Sequence, residues 1–305
     1  MPESPDPRRG LAFGVAAYVM WGLFPLYFPL MKPAGAVEIL GHRVFWSCLT
    51  MGLLVVLVQR TRQLREVVRD PRARTLLTIA ALLVATNWAV YIWAVNNGRV
   101  VEAALGYFIN PLVTVLMGIV VLGERLRRLQ WLAVLVATLA VVVLTIDYGH
   151  PPWVALVLAL TFGSYGLTKK IAGVEAIESL TFETAVLAPV AAGFLLVLEW
   201  QSRGTFTAEG PHHTLLLMTT GIVTAGPLLC FSAAAVRIQM VTLGLLQYMT
   251  PVLQFALGVL WFHEAMPTGR WIGFGLVWVA LAMFTVEALG HRRRQLDLAA
   301  EATAL

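Results

Sequence analysis

Charged side chains are scarce in this chain, in which Asp, Glu, Lys and Arg make up 13% of the 305 residues. That is too little polar surface to coat a water-soluble globule of this size, so a soluble fold is excluded. Cysteine is almost absent, with two in the whole sequence, and no Cys/His cluster has metal-ligand spacing. Cys48 and Cys230 both fall inside apolar runs and read as packing residues. The sequence has no Gly-Lys-Ser/Thr loop to cradle a nucleotide, which argues against ATP-driven work by this chain. His263-Glu264 opens like a zinc-protease helix but lacks the second histidine, and the stretch from Gly221 offers no nucleophile elbow. No catalytic residue, metal or cofactor is expected. Short alternating segments of about 10 residues are missing too, which excludes the strands of a membrane barrel.

What is present is apolar and continuous. Hydrophobic residues make up 59% of the chain, and its mean hydropathy is +0.77. A spanning helix needs about 20 such residues, and the chain divides into ten runs separated by short polar loops. They lie near 10–31, 36–58, 75–97, 100–122, 129–147, 152–170, 176–199, 214–236, 238–262 and 269–289. The first run is too long and aromatic for a cleaved signal peptide and lacks a small-residue cleavage site behind it. The expected class is therefore an all-α polytopic membrane protein with ten transmembrane helices. A disordered tail is expected at residues 1–9 and a second tail at 291–305.

Charge is distributed by side. With ten alternating spans both termini share one face, and 17 of the 22 Lys and Arg residues fall there against four opposite, with Arg43 inside a span. The positive-inside rule places both termini in the cytoplasm. The net charge of +5 is thus topological, and nucleic acid is not an expected partner. The segment Gln59–Thr75, rich in arginine, reads as a solvated inner loop, with an amphipathic segment on anionic lipid as the alternative.

An internal repeat then appears. Leu105–Trp131 recurs 140 residues later as Leu245–Trp271, matching Pro111 with Pro251, Gly118 with Gly258, Glu124 with Glu264 and Trp131 with Trp271. Weaker matches join Trp21-Gly22 to Tyr165-Gly166 and AVEIL at Ala36 to AIESL at Ala176, which pairs Glu38 with Glu178 and Arg43 with Glu183. Five spans per half is an odd number, so residues 10–148 and 149–290 form two inverted five-helix repeats.

The blocks WGLFPLYF, EILGHRVFWS, EAALGYFINPLVTVLMGIVVLGERL and QYMTPVLQFALGVLWFHE resemble the RarD branch of the EamA-type drug/metabolite transporter superfamily. The resemblance covers essentially the whole chain. It implies ten helices in two inverted repeats and a secondary carrier of the bacterial inner (cytoplasmic) membrane. It chooses no solute, because the same fold serves many. The expected partners are a small-molecule solute and the lipid bilayer, with a homodimer as a further expectation.

In such carriers the solute site lies near the bilayer midplane, where prolines free backbone carbonyls. Pro111 and Pro251 are the helix-breaking pair, flanked by Tyr107, Asn110, Gln247 and Tyr248 as polar lining; packing kinks are the alternative. Arg43 is too costly to leave unpaired in lipid, by about 3 kcal/mol, and is expected to face inward with a partner. It reads as an anion anchor or gate, or else as part of a structural ion pair. His42 and Glu183 are candidates for coupling or gating, and Glu38 could pair locally with His42 or Arg43. Asn87 and Tyr91, on one helix face, and the rings of Tyr18, Trp21 and Tyr165 suit an amphipathic organic solute. Glu124 and Glu264 are expected to clamp the turn into the next helix. The competing readings are a structural or sensory membrane protein and, less favoured, an intramembrane enzyme.

Overall fold

A computed structural model describes residues 7–122, 128–235, 237–238 and 246–303. Among the described residues every regular element is helical. The first apolar run forms α1 (Pro7–Gly22) and the single turn α2 (Phe24–Tyr27), followed by a 3-10 turn, Phe28–Met31. The two pieces are bent by 43°, because Pro25, just past Leu23, lacks the donor that would bond back to Trp21 across the break. The run read as one span, 10–31, is therefore broken. Next come α3 (Ala36–Leu57), α4 (Thr61–Arg69), α5 (Pro71–Asn96), α6 (Val100–Leu122) and α7 (Arg128–Tyr148). The second half contributes α8 (Trp153–Ala172), α9 (Ala176–Trp200), α10 (Pro211–Ala235), α11 (Met249–Ala256) with a π turn over Leu257–Trp261, and α12 (Thr268–Thr303).

Local chemistry sets several ends. Asp70 caps α5 by accepting from the Arg72 N–H, with Pro71 in the first helical position where no donor is needed. Gly173, at φ 64°, ends α8 in the left-handed conformation that glycine adopts without strain. The arginine-rich segment after α3 is not a plain loop: α4 is a short helix with no buried residue. The last helix also runs past the expected span end at 289, through Thr303.

Among the described residues six helices are long and apolar enough to cross a membrane, the α1–α2 pair forms a seventh as a bent span, and three shorter apolar helices lie in α6, α8 and α11 with its π turn. Their outer faces carry Ile146, Val190, Leu196 and Leu260, each more than 70% exposed. Such faces are stable against lipid and not against water. Trp200 is 85% exposed and Trp131 58%, as interfacial anchors near span ends should be.

Extensive packing joins α1 with α10 and α11, α3 with α9 and α10, α5 with α8 and α9, α6 with α8 and α11, α7 with α12, and α3 with α5. All but the last pair a helix of residues 7–148 with one of residues 153–303. Exchanging each span with the one five places on turns this set into itself, except that the α3–α5 contact gains no counterpart of similar extent. Glycines permit the closest approaches. A Cβ on Gly221 of α10 would lie 2.4 Å from the Trp46 carbonyl oxygen of α3, and one on Gly273 would lie 2.4 Å from Leu144 across the α7–α12 contact.

Candidate functional site

The close α3–α10 contact at Gly221 brings Thr220 and Thr224 against Arg43. The guanidinium is 4% exposed. Its Nε donates to Thr224 Oγ1 at 3.1 Å, and its carbon lies 4.0 Å from the Trp88 ring centroid, with Phe24 at 5.4 Å and Phe28 at 5.6 Å. Trp88 is on α5 and both phenylalanines follow the break after α1, so four spans converge on one cation. The expected partner is thus three aromatic faces and a hydroxyl, and among the described residues no carboxylate pairs with it. Phe24, Tyr27, Phe28, Thr220, Val223 and Thr224 close around it in a narrow cleft that has no room for a water molecule in this conformation. Along α3, both ring nitrogens of His42, the Trp46 indole nitrogen and Ser47 Oγ are buried without a hydrogen-bond partner among the described residues.

Glu38 does not pair with His42 or Arg43. It accepts instead from the Thr205 N–H at 2.6 Å and the Thr205 hydroxyl at 2.9 Å, in the loop between α9 and α10. That loop also stacks Phe206 on the His42 ring at 4.8 Å. Glu183 likewise finds a local partner rather than Arg43. It is fully buried, 3.0 Å from Lys169 Nζ, and accepts from Ser179 at 2.6 Å and from the Tyr165 hydroxyl at 3.1 Å. The two positions matched by the repeat are nevertheless joined through aromatic rings. Phe28 meets Tyr91 at 6.0 Å, Tyr91 meets Tyr107 at 5.7 Å, Tyr107 meets Phe162 at 5.9 Å and Phe162 meets Tyr165 at 6.0 Å. Most of these contacts are edge-on or tilted, as ring quadrupoles prefer.

Asn87 braces this ladder. It accepts from the Tyr107 hydroxyl at 3.1 Å and donates to Leu158 O and Thr161 Oγ1 of α8. The Tyr91 hydroxyl is buried with no partner. Asn110 is buried beside Gly163, and Pro111 sits within the continuous helix α6. Pro251, its match, instead lies in the first turn of α11, just after a break at Gln247 and Tyr248. Tyr18 and Trp21 form a separate group with Phe231. It is tied to α11 where Thr250 donates to Tyr18 O and Gln254 to Trp21 O. Tyr248 packs against the core cluster shared by α6, α7 and α12, and Gln247 is half-buried in the turn before it.

Carboxylates also bind the two halves together at one end. Besides Glu38 and Thr205, Glu102 accepts from the Val154 N–H at 3.1 Å and Asp147 pairs with Arg270 at 3.0 Å. Glu264 accepts from the N–H groups of Val100 and Val101, so it caps α6 of the other half rather than the helix that follows it. Burial raises the Glu264 carboxyl above its usual pKa, against the lowering effect of those two donors. Its repeat mate Glu124 lies outside the described residues, as do residues 1–6 of the expected N-terminal tail. At the opposite end Arg60, preceding α4, holds Glu175 at 2.8 Å and the buried Glu178 at 3.2 Å. Glu38 and Glu178, matched in sequence, each fasten a loop from the other half.

Thr220, Thr224, Tyr27 and the two phenylalanines of the Arg43 site escaped the sequence reading. A signal existed: Thr219, Thr220 and Thr224 form a hydroxyl stripe in an otherwise apolar span, and such a stripe in lipid needs acceptors or a polar neighbour.

A model of the EamA-like transporter family matches residues 8–146 and again residues 152–286. Protein RarD of Streptomyces exfoliatus is 54% identical over 294 residues, covering 96% of this chain and 93% of that protein. An uncharacterized transporter of Vibrio cholerae is 42% identical with 96% and 98% covered, and Protein RarD of Escherichia coli is 41% identical with 96% and 99% covered. A solved protein crystal structure shares the fold at a TM-score of 0.58 and 20% identity, over 94% of this chain and 98% of that one. These names point to a transporter rather than an enzyme. With its several apolar helices and a family match in each half, this chain belongs to the EamA-like transporter family.

Proposed function

We propose that this protein is a secondary transporter that moves a small organic solute across the bacterial inner membrane by alternating access. Its ten spans form two inverted five-helix repeats, residues 10–148 and 149–290, with both termini in the cytoplasm. The observation that carries the reading is the packing scheme, which is nearly unchanged when each span is exchanged with the one five places on. Two equivalent halves around a shared centre can trade conformations at little cost, which is what a two-sided carrier requires. The double match of the family model and the coincidence of ten apolar helical pieces with ten apolar runs support the same scheme.

In this reading the solute path follows the aromatic ladder from the Arg43 cleft to the Tyr165–Glu183 group, with Asn87, Tyr91, Tyr107 and Asn110 beside it. The carboxylate ties of Glu38, Glu102, Asp147 and Glu264 close the outer end, and opening toward that side breaks them. The Arg60–Glu178 pair plays the corresponding part inside. Counterflow in proteoliposomes, with the protein inserted and a broad solute panel trapped inside, tests the reading. Exchange of at least one solute above protein-free vesicles is expected. Failure across the panel, from protein that remains folded and monodisperse, would reject it.

A further inference from the structure

We infer that the Arg43 cleft is a binding site for an organic monocarboxylate, whose anionic group completes the charge balance of a cation that has no counter-ion among the described residues. The inference deepens the carrier reading, on which it rests for taking the cleft as a solute site.

The first argument is electrostatic. Arg43 is the only Lys or Arg in the buried set among the described residues. A guanidinium stays ionised, and a buried charge of this kind is retained where it is paired or where function needs it. Its repeat mate makes the contrast: Glu183 carries its own cation, Lys169, at 3.0 Å. Arg43 has one hydrogen bond, from Nε to Thr224, and aromatic faces that attract positive charge without neutralising it. The two terminal nitrogens, which form the fork that grips a carboxylate in a bidentate manner, meet no acceptor among the described residues.

The second argument is the number of idle polar atoms nearby. Ser47, one turn on from Arg43 in α3, and Tyr91 each bury a side-chain oxygen that meets no hydrogen-bond partner among the described residues. Buried polar groups in native proteins are otherwise nearly always satisfied. The phenols of Tyr27, Tyr91 and Tyr107 all fall within electrostatic range of the guanidinium, and Thr220 and Thr224 line the same cleft. These groups are neutral. One fixed positive charge among neutral donors balances a singly charged ligand, whereas a phosphate dianion would leave a net negative charge in a low-dielectric site. The walls, Phe24, Phe28 and Trp88, suit an aromatic or branched aliphatic body.

The test is binding, measured apart from transport. Purified protein in nanodiscs is titrated with benzoate, with the neutral isostere benzamide, and with sodium chloride, following tryptophan emission, since Trp88 contacts the guanidinium at 4.0 Å. Wild type is expected to bind benzoate at least tenfold more tightly than benzamide. Arg43→Gln should abolish that preference, while Arg43→Lys should keep a weakened one because it retains charge without the fork. Thr224→Val, which leaves the charge in place but removes the hydrogen bond that holds Nε and so orients the fork, should weaken benzoate binding severalfold and serves if Arg43→Gln does not fold. The assignment is overturned by equal affinity for benzoate and benzamide, by binding of chloride alone, or by an unchanged anion preference in Arg43→Gln. Arg43-dependent benzoate binding without flux of any solute would count against the carrier reading alone. Robust flux of neutral solutes, indifferent to Arg43→Gln, would sink this assignment and leave the carrier reading standing.

Discussion

Replacing Gly221 by alanine tests whether α10 rides on the backbone of α3. The added Cβ would lie 2.4 Å from the Trp46 carbonyl oxygen and 2.6 Å from Thr50 Oγ1, where ordinary contact begins at 3.4 Å. Because the nearest obstacle is backbone rather than a flexible tip, relief requires α10 to withdraw by about 1 Å. That withdrawal carries the Thr224–Arg43 hydrogen bond, now 3.1 Å, beyond bonding distance. Overpacking costs about 1–3 kcal/mol, and the lost bond to a charged group about 1.5–3 kcal/mol. The better helix propensity of alanine returns about 1 kcal/mol, so the expected net loss is about 1.5–5 kcal/mol. Gly193 of α9 supplies the control, since a Cβ there meets nothing within 4 Å; Gly193→Ala should be neutral or stabilise by up to about 1 kcal/mol. Unfolding free energies from SDS titration in mixed micelles read both. If Gly221→Ala falls within about 0.5 kcal/mol of wild type, the range typical of a featureless surface change, the backbone contact and the positioning argument built on it are wrong.

Asn110→Ala should lower solute flux in proteoliposomes while leaving the amount of protein in the membrane unchanged; a wild-type rate would reject its place along the solute path. Lys169→Met should destabilise by about 3–5 kcal/mol, because it strands the buried Glu183 carboxylate. The double variant Lys169→Met/Glu183→Gln should recover most of that loss, and a double variant as unstable as the single one would show that the ion pair is not the cause. Glu264 supplies a pH signature, because its folded-state pKa is raised. The folded state then holds that proton more tightly, so the contribution is complete below the unfolded value of about 4.3 and fades as pH rises through the higher folded value. Melting curves of wild type against Glu264→Gln should therefore diverge as pH rises from about 4; parallel curves would mean that burial leaves this carboxyl unshifted.

Much of the helical framework is legible in the sequence. The run read at 100–122 is α6, and those read at 129–147 and 176–199 lie within one residue of α7 and α9 at each end, because long apolar runs bounded by polar residues leave few alternatives. The break after Gly22 was foreshadowed by Pro25, but composition alone does not say whether a proline kinks a span or divides it. Partner choice was far less readable. Thr224 lies 181 residues beyond Arg43, and Thr205 lies 167 beyond Glu38, so neither contact leaves a local spacing pattern. Sequence symmetry matched Arg43 with Glu183, yet the structure gives each its own surroundings: Thr224 and aromatic rings for Arg43, Lys169 for Glu183. What links them is a ladder of rings that no helical periodicity encodes.

The interleaving of the halves bears on how the molecule is made. Nearly every extensive helix contact joins an early span to a late one, and the early polar groups depend on late partners: Glu38 on Thr205, Arg43 on Thr224, Glu102 on Val154. When the first five spans have left the ribosome, each can form a helix in lipid, but none of those side chains has its mate. The nascent half is thus a loose set of rods with buried charges awaiting company, and the final structure can close only when α12 arrives to seat against α7. Synthesis of this protein has no folded halfway point, so premature termination anywhere before the last span leaves material for quality control rather than a working fragment.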